Sequence, residues 1–324
     1  MSIGSLACKY RPADNRVYIY GFFHGSPYSS AFCVRDDGVV VWTVSLGAYV
    51  HNSTSPTLAN GQLMFRAEKP TIYGYDQGMM SINTQDGSER FFHLMGNTLY
   101  PQKPAYHNGL KCYYTAADPY YVRCMTESGA LLWQAYVPHT DPYPIILSEA
   151  TNRLYVRGQT QYTFKETMSC LDATTGAVIW SRDEVNGYSL GWQCLFALGK
   201  GKLFLYALEN NAYTPVALDA ATGAVLWDTG MPIYPVGSLF ADPQGRVWYT
   251  NSREALCLDA TTGAFLSNTQ FNSVGYEVGY EGGAPEGNAL FVVDTARHVF
   301  RLSPLKKKIR IFEGVRTDSQ PVPV

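Results

Sequence analysis

The sequence predicts an all-β chain, folded as a seven-bladed β-propeller of four-stranded antiparallel blades. Three observations carry that expectation. A ten-residue pattern recurs along the 324 residues, its copies stand 40 to 49 residues apart, and the stretches between them read as short strands separated by turns. A period of that length is the sequence mark of propeller blades, each one a four-stranded sheet.

The pattern is clearest at 171–180, 218–227 and 258–267, which read LDATTGAVIW, LDAATGAVLW and LDATTGAFLS. Weaker copies span 33–42, 82–91 and 124–133, and a degenerate one spans 302–311, with Lys307 where glycine would stand. The anchor positions are therefore 38, 87, 129, 176, 223, 263 and 307. Each copy reads as a hairpin. An apolar strand ends at the Leu position, Asp and Thr offer side-chain oxygens to a tight turn, and Gly supplies the positive φ that closes it. The following strand ends in Trp42, Trp133, Trp180 or Trp227, with Phe91, Ser267 and Ile311 in the remaining copies. A large flat side chain at one fixed place per blade is expected to pack between neighbouring sheets.

The motif L-D-A-x-T-G-x-x-x-W resembles the PQQ-like repeat of quinoprotein-type propellers. The resemblance implies the propeller fold. It implies little about activity, because quinone enzymes, outer-membrane assembly lipoproteins and other proteins share the repeat.

Strand order follows from the anchors. The first blade is expected to use 4–10, 17–23, 31–35 and 39–44, and the sixth 238–241, 246–250, 255–259 and 264–267. One propeller then occupies 1–312, and 313–324 is a polar tail with two prolines.

Composition narrows the function classes. With 46% hydrophobic and 16% charged residues the chain can bury a large core. A net charge of −2 offers no basic stripe for nucleic acid, and the run Lys306-Lys307-Lys308 reads as a solvated turn. No apolar run is long enough to span a membrane, so no membrane insertion is expected. The N-terminus shows no charged region followed by an apolar stretch, which predicts a protein made in the cytoplasm without a signal peptide. The seven cysteines are widely spaced and form no C-x-x-C, so small core fillers are expected, with no disulfide framework and no metal site.

Propeller connectivity puts the Asp-x-x-Thr-Gly hairpins on one face. The B–C loops and the connectors between blades lie on the other, and variable loops on a rigid scaffold carry function. Long B–C loops are expected in blades one to five, and they bring Tyr28, Tyr73, Tyr75, Tyr120, Tyr121, Tyr162 and Tyr213. The connectors add a second series that includes Tyr49, Tyr143 and Tyr234. Tyrosines offer rigid amphipathic contact area, suited to a protein partner or to sugar rings. Plugs between blades are the structural alternative.

No catalytic constellation assembles. The quinone-dependent enzymes that the repeat resembles have eight blades in a longer chain, and many hold their quinone against adjacent cysteines, which this sequence lacks. The six histidines show no H-x-H or H-E-x-x-H spacing. The expected function is a non-catalytic binding and assembly module without a cofactor. Its partner would be a protein in a larger assembly, or a glycan or cell-surface receptor, as in a bacteriophage tail or other virion component. The alternatives are an enzyme, either a quinone-dependent oxidoreductase or a carbohydrate-acting hydrolase, and a scaffold resembling the outer-membrane assembly propellers.

Overall fold

The computed structural model describes residues 3–11, 15–23, 28–50, 56–95, 104–117, 120–137, 143–159, 166–190, 196–209, 212–233, 238–242, 244–250, 254–270, 285–286, 289–293, 299–302 and 310–312. The chain forms two compact units, Met1–Asp183 and Glu184–Val324. Among the described residues there is no α-helix, only the single 3-10 turn Glu149–Thr151.

In the first unit, Ile3–Arg11, Arg16–Phe23, Ser30–Arg35 and Val40–Ser45 form one antiparallel sheet in that order. Thr57–Ala59, Gln62–Thr71, Gly74–Asn83 and Glu89–Leu94 follow, then Ala105–His107, Cys112–Ala117, Tyr121–Thr126 and Leu131–Tyr136. Tyr143–Ser148, Arg153–Gln159, Glu166–Asp172 and Val178–Arg182 pair in the same meander. The second unit repeats it with Ala197–Gly199, Lys202–Glu209, Ala212–Asp219 and Val225–Asp228. Ser238–Ala241, Arg246–Thr250, Glu254–Asp259 and Phe265–Gln270 form the next sheet. Short strands from Pro285–Glu286 to Arg310–Phe312 form another, and the polar tail and the basic run lie outside the described residues. Within each unit, alternating side chains bury apolar residues of one sheet against those of another. Tyr18, Tyr20 and Cys33 thus share a core with Leu63, Phe65 and Ile82, and Phe204 and Tyr206 share one with Val247 and Tyr249.

The three strong repeat copies fold into the same turn. The carboxylate Oδ1 of Asp172 accepts from the amides of Thr174 (2.9 Å) and Thr175 (2.8 Å) and from the Thr175 hydroxyl (3.0 Å). Asp219 and Asp259 repeat these bonds within 0.1 Å. The closing glycines have φ of 76° at Gly176, 72° at Gly223 and 74° at Gly263. The amides satisfied by Asp would otherwise need water.

These turns set a pH dependence. The Asp259 carboxyl lies below its ordinary value, chiefly because the Thr262 amide donates to it. A depressed folded-state value means that the stabilisation is present above the unfolded value near ~4 and is lost as pH falls through the folded one. Asp259→Asn is expected to cost about 1 kcal/mol at pH 7. Its melting-temperature deficit should shrink between pH 5 and pH 3, and an equal deficit at both would contradict the charge argument.

The repeat tryptophans lock each turn to the preceding sheet. Trp42 Nε1 donates to Thr84 O (3.1 Å), Trp133 Nε1 to Ala173 O (3.3 Å) and Trp227 Nε1 to Ala260 O (3.3 Å). In every case the acceptor lies in the turn of the following repeat, and Phe91 covers Gly129 in the same manner without a donor. The inter-sheet role expected for this position is therefore met at Trp42, Phe91, Trp133 and Trp227.

The cysteines also follow the repeat. Cys33, Cys124 and Cys170 stand directly across the strand pair from Trp42, Trp133 and Trp180, and Cys257 stands across from Ser267. Ser81 and Ala217 fill the same place opposite Phe91 and Trp227. A small side chain there leaves room for the ring. Cys33, Cys112, Cys124, Cys170 and Cys257 are free thiols and buried, and the side chains of Cys8 and Cys194 lie outside the described residues.

Candidate functional site: a tyrosine surface around an extended hairpin

The second repeat departs from the sequence reading. No long B–C loop exists there. Gln62–Thr71 and Gly74–Asn83 pair in register up to Thr71 and Gly74, leaving only Ile72 and Tyr73 as the turn. The fifth repeat is similar, with pairing that reaches Glu209 and Ala212. Extra residues spent on strand pairing satisfy their own backbone groups, which a loop of that length would leave to water.

The hairpin tip is apolar and open. Ile72 is 89% exposed and Tyr73 94%. Gly74, at φ 134°, lets the chain re-enter the strand where a residue with a side chain would be strained. Lower on the hairpin, Lys69 pairs with Glu89 at 2.7 Å and lies over the Phe92 ring, 4.8 Å from its centre.

Three tyrosines interlock at its flank. Tyr49 lies on the short strand Tyr49–Val50, opposite Glu68. Its ring meets Tyr75 edge-on (5.3 Å, 81°) and Tyr28 edge-on (5.9 Å, 64°). Backbone stitching positions Tyr28: the Ser29 amide donates to Ala48 O (3.0 Å), and the Val50 amide donates to the Ser29 hydroxyl (3.0 Å). A hydrogen bond with Tyr75 holds the Tyr49 phenol above its ordinary value of 10.0, so the group stays neutral at physiological pH. The surface can offer ring faces, ring edges and neutral hydroxyls, which suit contact and not proton transfer.

A second group gathers in the third sheet. Tyr121 stands across from Tyr136, and Tyr136 packs against the Tyr120 ring (5.9 Å, 30°) and the Tyr121 ring (5.9 Å, 73°). The amide of Val137 donates to Tyr120 O (2.8 Å) and fixes that residue. Tyr213 behaves differently. It is a strand residue packed edge-on to Tyr206 (6.2 Å) and tied to Ile233, part of the buried cluster in the second unit. Tyr143 opens its strand, its side chain being outside the described residues, as are Tyr162 and Tyr234 altogether.

Sequence reasoning missed Ile72 and Tyr136. The long B–C loop expected there hid a tight turn that exposes its two central residues. Tyr136 ends an outer strand three residues past Trp133, and its pairing with Tyr121 follows only once the hairpin register is known. Among the described residues no group of three or more His, Cys, Asp or Glu side chains stands together to hold a metal ion.

The family model described as "Outer membrane protein assembly factor BamB" matches residues 118–227, the stretch with two of the three strong repeat copies. The PQQ-like resemblance is borne out. Solved structures extend the likeness to nearly the whole chain. BamB from Moraxella catarrhalis has a TM-score of 0.62 at 12% identity, covering 96% of this chain and 89% of that one. The computationally designed Ika8 protein has a TM-score of 0.58 at 11% identity, covering 96% of each chain. At such identities the likeness concerns the fold alone: this is a β-propeller of PQQ-like repeats with four-stranded antiparallel sheets. No curated protein matches the chain.

Proposed function

We propose that this propeller is a non-catalytic binding and assembly module whose repeats close one seven-bladed ring over 1–312, and that the tyrosine surface receives a protein partner. The observation that carries the reading is the hairpin tip. Ile72 and Tyr73 stand almost fully in solvent on a backbone braced by strand pairing, beside interlocked tyrosines. Exposed apolar side chains on a rigid support, ringed by neutral polar groups, are the ordinary make-up of an interface centre. The matched family is described as an assembly factor, which supports the scaffold version of the reading. The phage-particle setting suggested by composition draws no support from that likeness, and a glycan ligand is the less favoured occupant.

Ile72→Asp combined with Tyr73→Ser should leave stability within about 0.5 kcal/mol, because neither side chain is buried. The test is photo-crosslinking in the cells that make the protein, with a benzophenone amino acid at position 73 or at position 85 in the opposed Asp-Gly turn. A discrete protein adduct from position 73, absent from position 85 and lost in the presence of excess unlabelled protein, is expected. Adducts from position 85 alone would overturn the assignment of the face.

A further inference from the structure

We propose that a hollow of about 410 Å³ in the first unit is a binding site for a short extended peptide carrying a basic side chain. The lining takes Thr57–Ala59, 104–106 and 145–147, runs of three consecutive residues on or directly beside three strands. Successive side chains on a strand point to opposite faces, so consecutive residues border one space only where the strand turns its edge to it. Each of these strands is hydrogen-bonded to a single neighbouring strand. Thr57–Ala59 pairs with Gln62–Thr71, Ala105–His107 with Cys112–Ala117, and Tyr143–Ser148 with Arg153–Gln159. Among the described residues no strand pairs along their other edges; the Thr57 hydroxyl donates to Pro104 O, so that one carbonyl is taken. The hollow therefore presents backbone donors and acceptors between apolar walls, and an added strand is the ligand that satisfies such edges. The two shorter edges are three residues long, which sets the size of the segment.

Charge at one end decides what that segment carries. Glu149 borders the hollow, and its Oε1 accepts from Asn108 Nδ2 at 2.8 Å. Its Oε2 lies 3.8 Å from Nδ1 of His107. That nitrogen already accepts from the amides of Gly109 (3.1 Å) and Leu110 (3.3 Å), so its lone pair is engaged and it has no proton to give. The contact is carboxylate oxygen against imidazole acceptor, not an ion pair. An ammonium or guanidinium group reaching the end of the hollow would pair with this partly exposed carboxylate. A free amine would use the carboxylate alone and leave the strand edges to water, so the peptide is the better match.

The site is separate from the tyrosine surface, and its test does not depend on that reading. The probe is carboxyfluorescein-Val-Thr-Val-Lys amide, labelled at its N-terminus so that the lysine ammonium stays free, titrated by anisotropy against the full chain. Saturable binding is expected. Glu149→Gln, at a half-exposed position, should weaken it about threefold. Exchanging the peptide lysine for glutamate, or N-methylating its central amides, should weaken it at least about tenfold. The Ile72→Asp, Tyr73→Ser protein should bind as tightly as the parent. Absence of saturation at millimolar protein, equal affinity for the N-methylated peptide, an unaffected Glu149→Gln protein, or full competition by equimolar butylammonium would each overturn the proposal.

Discussion

Replacing Trp133 with alanine will destabilise the protein by about 3–4 kcal/mol, as emptying a large aromatic site does elsewhere. The indole packs on the turn of the next repeat, where the position of a Gly176 Cβ would fall 2.6 Å from its Cε3. It meets the Tyr114 ring at 5.7 Å, and it donates to Ala173 O. The loss is contact area and not an orphaned acceptor, because the Tyr114 hydroxyl also donates to Ala173 O at 2.9 Å. Trp133→Phe should therefore cost only about 1–2 kcal/mol, keeping most of the ring and giving up the N–H bond. Urea denaturation of the three proteins provides the comparison. A Trp133→Ala protein within 1 kcal/mol of the parent would mean that the turn and the ring merely touch.

That latch shows how far a repeat motif can be read in advance. The Asp-x-x-Thr-Gly pattern announced the turn because each residue type has one task there: an acceptor for two amides, a hydroxyl and a positive φ. The first and sixth sheets fall within three residues of the expected strand limits, since the anchor fixes the last hairpin and the period fixes the rest. The partner of the tryptophan was not legible. Its acceptor is a backbone carbonyl 33 to 42 residues on, at Thr84, Ala173 or Ala260, and a carbonyl leaves no trace in residue type. The cysteines were legible only in part. Their wide spacing argued against a framework, but their place opposite the ring emerges from strand register.

The candidate site was harder to read for a physical reason. Tyrosine abundance singled out Tyr28, Tyr49 and Tyr75, which meet although they lie far apart in sequence. The same abundance also pointed to Tyr213, which packs into a core cluster. A phenol ring serves both settings, and burial is decided by whether the segment loops or pairs. In the second repeat the extra residues paired, so a predicted loop became a braced finger with Ile72 and Tyr73 at its end. The strand edges around the hollow were beyond sequence reading altogether, since they concern backbone groups and not side chains.

Gly176→Ala will cost about 2–5 kcal/mol, and the two parts of that cost can be separated. The first part is conformational. At φ 76° an alanine pays about 1–2 kcal/mol for the left-handed region. The second is steric. The new methyl would lie 2.6 Å and 2.9 Å from Cε3 and Cδ2 of Trp133, a ring pinned by its own hydrogen bond, and overpacking of this kind costs about 1–3 kcal/mol. Gly38 supplies the control. Its φ is 83°, and nothing lies within 4 Å of the added methyl, so Gly38→Ala should show the conformational part alone. Trp133→Ala supplies the other control, because removing the ring removes the clash. In that background Gly176→Ala should fall to the cost seen at Gly38. The double-mutant cycle should then show a coupling of at least about 1 kcal/mol between residues 43 positions apart. Equal costs for Gly38→Ala and Gly176→Ala, with additive behaviour in the cycle, would mean that the glycine is needed for its φ alone and that the ring stacked on it can yield without penalty.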